Sequence, residues 1–202
     1  KLRRYQEMIE EHISPEMQAI FKEVVDKQGD MTQVNDSLFP VINMLNTRWF
    51  IFPGQNGSTI PLQNPHAYGN AWFVDEVRYV NNANEEIDAI GQVDLQQTAI
   101  VDSKFKEALK GVNEGYKDSL STIRLTSYEP NQLVYETSSP QDGIVVFSEI
   151  YYPGWTATID GKPADIARAD YILRAMNVPA GKHTIEMRFD PQSLHITEGI
   201  AY

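Results

Sequence analysis

The feature that most narrows what this chain can fold into is a run of alternating residues near its C-terminal end, punctuated by two tight reversals. Asp160-Gly161, set between Ile159 and Lys162, accepts the positive φ that a two-residue hairpin loop demands. Pro179-Ala180-Gly181 marks the next reversal, and beyond it His183, Ile185, Met187 and Phe189 alternate with Thr184, Glu186, Arg188 and Asp190. A period of two is that of a strand with one buried face, so this region is sheet and not helix. Ile144 to Tyr152 is apolar on both faces, as a central strand must be.

The N-terminal half is patterned differently. Tyr5, Met8, Ile9 and Ile13 fall at helical spacing, and Ser14-Pro15 has the form of an N-cap followed by the first residue of a second helix. Met17, Ile20, Phe21, Val24 and Val25 continue the apolar stripe until Gly29 ends it. A shorter helix is expected from Asp36 or Ser37 with Leu38, Val41, Ile42 and Leu45 inward, then a strand over Arg48 to Phe52 and a turn at Asn56-Gly57. Ala71 to Val80 and Thr98 to Val101 have strand content, and Asn84 to Ile90 begins a short capped helix with Glu85 and Glu86 in its first turn. The polar run from Lys104 to Ser121 is the boundary candidate, and strands at about 8- to 12-residue spacing beyond it have a sandwich signature. The expected class is α+β: an α+β subdomain over 1–118, then an antiparallel β-sandwich of jelly-roll or immunoglobulin-like type over 119–202, with Ser193 to Tyr202 strand-like.

Length and charge restrict the partners. At 202 residues the chain can bury one large core or two small ones. Lys and Arg total 17 against 28 Asp and Glu, a formal charge of −11 that repels nucleic-acid phosphates and anionic lipid headgroups. Nucleic acid is not expected as a partner. Absence of cysteine is compatible with an oxidising compartment. The charge-free run from Trp49 to Val74 is broken by Pro53, Gly54, Gly57, Pro61, Pro65 and Gly69, whereas a transmembrane helix needs about 20 mainly apolar residues. The chain as given therefore reads as soluble, and its start inside an amphipathic pattern reads as a fragment of something longer.

Four motifs carry a resemblance. YYPGW at Tyr151, IDG at Ile159, YILRA at Tyr171 and PAGKHTIEMRFDP from Pro179 occur in the order and spacing of the C-terminal extracytoplasmic region of the YfhO family. Asn43 to Phe50, Gly69 to Val74 and Ala83 to Ile90 are similar to that family's preceding subdomain. One departure is Asp170, where the pattern leads one to expect Asn, and it puts the hydrogen-bonding role of this side chain in question. The resemblance implies a bacterial polytopic membrane protein of glycosyltransferase-like kind that uses lipid-linked sugars. This chain would then be a non-catalytic extracytoplasmic cap or glycan- or acceptor-binding domain in cell-envelope polysaccharide glycosylation. Its partners would be the membrane-embedded remainder of the same polypeptide and a glycan or lipid-linked sugar. A stand-alone secreted carbohydrate-binding module is the alternative.

Two groups of residues are candidates for binding. Tyr151, Tyr152 and Trp155 cluster at a strand end, where flat rings can receive the apolar face of a pyranose or can simply plug the end of a sandwich. Arg168, Tyr171 and Arg174, with Asp170, can grip an acidic group through guanidinium forks, or the two arginines can pair internally with Glu149, Asp160 or Asp165. Hydrolysis of a glycoside would need two convergent carboxylates, and nothing in the sequence converges Asp75, Glu76, Glu149 and Asp160. His12, His66, His183 and His195 are scattered, so no metal and no cofactor are expected, and His183 shares a face with Ile185, Met187 and Phe189 as a structural residue would.

Overall fold

A computed structural model describes residues 3–110 and 120–190, and the expected boundary at 118/119 and the strand over 193–202 lie outside the described residues. The chain opens with one helical rod and not two. α1 (Arg3–Met8), a π-helical turn (Ile9–Ile13) and α2 (Ser14–Asp26) follow without a break. Ser14 stays right-handed helical at φ −67° and ψ −45°, donates its N–H to Ile9 O, and caps nothing. Pro15 lacks an N–H and its ring would crowd the carbonyl one turn back, so the wider π turn takes it up without ending the helix.

The rod buries a narrower stripe than its apolar spacing suggests. Met8, Ile20 and Val24 are inside, whereas Met17, Phe21 and Val25 are exposed. Glu16 points inward, and its two carboxylate oxygens accept from Val41 N at 3.0 Å and Ile42 N at 2.9 Å, at the start of α3 (Pro40–Met44). The expected helix from Asp36 is thereby split into a 3-10 turn (Asp36–Leu38) and α3. A hairpin of β1 (Trp49–Pro53) and β2 (Thr59–Gln63), reversed at Asn56-Gly57, closes a small core with Phe39, Ile42 and Phe50. Its outer face leaves Trp49 at 54 % and Ile51 at 64 % exposed.

The rest is a sandwich of a five-stranded and a six-stranded sheet, so the α+β class with antiparallel sheets is what the chain adopts. The six-stranded sheet contains β3 (Ala71–Val74), β4 (Glu76–Val80), β5 (Thr98–Asp102), β8 (Gly143–Ile150), β11 (Ala167–Ala169) and β12 (Leu173–Val178), in the order β3-β8-β12-β11-β5-β4. It draws strands from both sides of 111–119. β4 and β5 run parallel, joined through α4 (Ala83–Ile90), the one parallel pair among the described strands. Asn82 caps α4 by accepting from Asn84 N and Glu85 N, two residues earlier than the sequence suggests.

The five-stranded sheet, wholly antiparallel, consists of β6 (Thr122–Glu129), β7 (Gln132–Ser139), β9 (Trp155–Ile159), β10 (Lys162–Ala164) and β13 (Gly181–Phe189), in the order β10-β9-β13-β7-β6. Alternation decides what fills the space between the sheets. Val145 and Phe147 of β8 meet Leu133, Tyr135, Ile185 and Met187 there, with the Tyr135 and Phe147 rings edge-on at 5.0 Å. Ile144 and Val146 face the opposite way, into the core with Ile87 and Ile90 of α4. From Gly143 to Phe147 β8 is thus covered on both faces, which is why that stretch is apolar on both, whereas the two-sided burial expected as far as Tyr152 stops there: Ser148 to Tyr151 are partly exposed and Tyr152 is exposed.

Candidate functional site

The Asp160-Gly161 turn reverses β9 into β10, with φ 51° and 77° at its two residues. Asp160 also ties the turn to β13. One carboxylate oxygen accepts from Thr184 N at 2.9 Å, and the other lies 2.7 Å from His183 Nδ1. His183 Nε2 meets Ala180 O at 2.9 Å. Both ring nitrogens therefore face acceptors, which favours the imidazolium. The bond to Asp160 raises the histidine's pKa and lowers that of the carboxyl. This pair fixes one end of the β9–β13 register.

Near the other end of those strands, a β-bulge between β8 and β12 of the six-stranded sheet shapes a groove. Leu173 of β12 is paired with Ile150 of β8, yet the next residue, Arg174, is paired with Phe147, so Ser148 and Glu149 are extra residues on β8. Bulges bend a strand and re-aim its side chains. Ser148 Oγ lies 2.7 Å from the carbonyl oxygens of both Met44 and Gly69. Arg174, 3 % exposed, spans the irregularity by donating from Nε to Ile150 O at 3.1 Å. Its guanidinium lies 4.0 Å from the centroid of the Trp155 ring, close enough for a cation–π contact.

Trp155 and Tyr152 both pack against Phe189, with ring centroids 5.5 and 6.1 Å apart. Tyr152 remains 47 % exposed and Trp155 is half-buried. Tyr151 turns to the other side and packs on Phe105 at 5.7 Å, although it reaches the groove's edge. Two adjoining grooves of about 330 and 500 Å³ share Tyr152, Trp155 and Arg174. Glu149 lines the larger one, half-buried, and burial raises its pKa while the nearby Arg174 charge works the other way.

The second expected group is divided. Arg174 belongs to the aromatic groove, whereas Arg168 and Tyr171 join a buried ionic cluster around Glu86. Glu86, with no exposed surface, receives Arg4 Nη1 and Arg168 Nη2 at 2.9 Å each and accepts from Tyr171 N at 3.3 Å. Arg168 also lies 3.6 Å from Asp102. Its partners are thus Glu86 and Asp102, not Glu149, Asp160 or Asp165, because β11 sits beside β5 under α4 and the Asp160 turn is in the other sheet. Arg4 stacks over the Tyr171 ring at 4.3 Å, and the Tyr171 hydroxyl donates to Glu7. These contacts hold Asp170 and Tyr171 at φ 48° and 68°, the latter a costly conformation for a bulky residue. Asp170 does make a hydrogen bond: Oδ1 accepts from Ile100 N at 2.8 Å.

Phe189 and Glu149, with Tyr5, Asn131 and Asp165, are among the groove residues that the sequence did not single out as ligand contacts. Phe189 was readable as the inward end of an alternating strand, but its meeting with Tyr152 requires the β9–β13 pairing. Of the carboxylates weighed as a hydrolytic pair, Asp160 is bound into its turn, Glu76 accepts from Thr98, and Glu149 alone faces the groove. Among the described residues no three His, Cys, Asp or Glu side chains gather as a metal site, and no helix is long and apolar enough to cross a membrane.

No curated protein and no solved structure matches the chain. The family described as bacterial membrane protein YfhO matches residues 86–200, more than half of the 202. The matched stretch starts at Glu86 and holds the bulge, the aromatic groove and the Asp160 turn, whereas Asn43 to Phe50 and Gly69 to Val74 lie before it. On that match, the chain belongs to the family of the bacterial membrane protein YfhO.

Proposed function

We propose that this chain is a non-catalytic, extracytoplasmic domain of a polytopic, glycosyltransferase-like membrane protein, and that it presents a glycan or acceptor to the membrane-embedded remainder of the polypeptide. The observation that carries this reading is the groove around Trp155. One ring is braced by a buried guanidinium, a second is exposed at 47 %, and both stand beside a half-buried carboxylate. Aromatic rings held rigid at a strand end lose little entropy on contact, and their apolar faces suit the C–H face of a pyranose. Family membership supports the attachment to a membrane protein. Chemistry on the sugar is assigned to the membrane portion, since glycoside cleavage needs two carboxylates facing each other about 5 to 9 Å apart, whereas Glu149 lines one of the two adjoining grooves and Asp165 the other.

Calorimetric titration of the chain with a panel of envelope oligosaccharides tests the reading. Trp155→Ala is expected to weaken binding at least tenfold, the loss of roughly 1.5 kcal/mol of stacking and burial, with the circular dichroism spectrum retained. Transfer of sugar from a lipid-linked donor by the chain alone would overturn the non-catalytic assignment. Binding that is indifferent to Trp155→Ala would overturn the groove. Protease accessibility in spheroplasts checks the periplasmic side, which digestion only after cell lysis would refute.

A further inference from the structure

The aromatic groove has a polar wall that the rings alone do not explain. Resting on the glycan-binding reading above, we propose that Glu149 and Arg174 select a neutral pyranose, the carboxylate accepting from one ring hydroxyl and the guanidinium donating to a neighbouring hydroxyl oxygen.

The bulge supplies the first part of the argument. In regular antiparallel pairing Glu149 would stand opposite Arg174, but the two extra residues on β8 remove that pairing. The two charges influence one another, yet no ion pair joins them within 4.0 Å. Glu149 makes no side-chain hydrogen bond among the described residues, although it is half-buried. A half-buried carboxylate on a groove wall with no partner of its own is free to accept from a ligand that enters.

Arg174 supplies the second part. Its Nε is committed to Ile150 O and its Nη1 to Met187 Sδ, while Nη2 makes no hydrogen bond among the described residues. Arg174 lines both grooves. The groove therefore offers an acceptor and a donor beside the faces of Trp155 and Tyr152. Vicinal hydroxyls of a pyranose each donate and accept, and its C–H face is apolar, so the sugar satisfies all three surfaces at once.

Charge narrows the class further. Glu149 and Arg174 carry opposite charges on the larger groove, so a neutral sugar can use both without bringing a charge of its own. An anionic polymer would meet Glu149 in one groove and Asp165 in the adjoining one, on a chain of formal charge −11. A cationic sugar would face Arg174.

The test titrates the chain with cellobiose, maltose and N,N′-diacetylchitobiose as neutral probes, a galacturonic acid oligomer as the anionic probe and a chitosan oligomer as the cationic one. At least one neutral probe is expected to bind ten or more times tighter than either charged probe. Glu149→Gln is expected to weaken that binding about tenfold and Glu149→Ala by 10- to 100-fold. Neither should lower the melting temperature by more than a few degrees, because the Glu149 side chain makes no hydrogen bond among the described residues and no ion pair with Arg174. Arg174→Lys, which keeps the charge and removes the second donor, should weaken it comparably and serves as the independent arm. Neutral-sugar binding that is lost in Trp155→Ala but unchanged in Glu149→Gln would sink this inference and leave the groove assignment standing. Tighter binding of a charged probe would do the same. Failure of every saccharide to bind the unmodified chain would remove both.

Discussion

Replacing Glu86 by alanine is expected to cost the fold about 3–5 kcal/mol, the largest effect of any single charged side chain described above. The reason is the number of groups that depend on it. Glu86 is fully buried and neutralises Arg4 and Arg168 while accepting from the backbone of Tyr171. Its removal leaves a guanidinium with only 8 % exposure facing Asp102 alone at 3.6 Å, and frees the loop that holds Asp170 and Tyr171 at positive φ. A chain of this size should lose roughly 6–20 °C in melting temperature, with a matching fall in the urea midpoint. Glu86→Gln, which keeps an acceptor but not the charge, should fall between. Adding Arg168→Met to Glu86→Ala should restore part of the loss, since an apolar pair has no charge to strand. A Glu86→Ala protein within 1 kcal/mol of the parent would show that the cluster contributes no net stability.

The second large effect is expected at Asp170, and it depends on pH. This carboxyl has no exposed surface, and its Oδ2 has no partner among the described residues. Burial, opposed by the bond from Ile100 N and aided by the charge of Glu86, raises its pKa from 3.8 to about 7. With the folded value above the unfolded one, the protonated form favours folding below about pH 4. That advantage is lost as pH rises, because the unfolded chain ionises first, and the loss is complete above about pH 7. Glu16, raised from 4.5 to about 7 chiefly by burial, acts in the same direction over the same window. Stability should therefore decline from mildly acidic to neutral pH, against the common trend for carboxylates. Asp170→Asn keeps the Oδ1 acceptor for Ile100, tolerates the left-handed backbone, and cannot ionise. It is expected to stabilise the fold by about 2–4 kcal/mol at pH 8 and hardly at all at pH 4. Urea midpoints of parent and variant across that range provide the check, and parallel profiles would refute the assignment. Asn is also the residue that the family pattern led one to expect at this position.

Features governed by residues close in sequence were legible before the structure. The Asp160-Gly161 turn, the alternation of His183 to Phe189 and the two-sided burial of Ile144 to Phe147 are local consequences of backbone geometry. What could not be read depended on partners far along the chain. Glu86 looks like an acidic residue placed for the helix dipole, and its burial depends on Arg4 and Arg168, each 82 residues away. Glu149 and Arg174 are candidates for a direct pair until a bulge between distant strands separates them. Ser14-Pro15 misled for a different reason, because the same dipeptide that starts a helix can also be absorbed by a wider turn inside one. Of the six residues proposed for binding, Tyr152, Trp155 and Arg174 come together with Phe189, Tyr151 stands at the rim, and Arg168 and Tyr171 are committed to the ionic cluster.

β3 and β4 lie at opposite ends of the six-stranded order, yet only Asp75 separates them in the chain, with its N–H bonded to Gln97 O. One intervening residue spans at most about 7 Å, so the far ends of the sheet must curl round until they meet. The two edge strands are thereby brought together at one corner, although no ladder joins β3 to β4 among the described strands. This topology also sets an order of events during synthesis: β4 can pair with β5 early, but residues 71–74 cannot find their partner strand until 143–150 have left the ribosome, so β3 must wait, unpaired, for the late half to arrive.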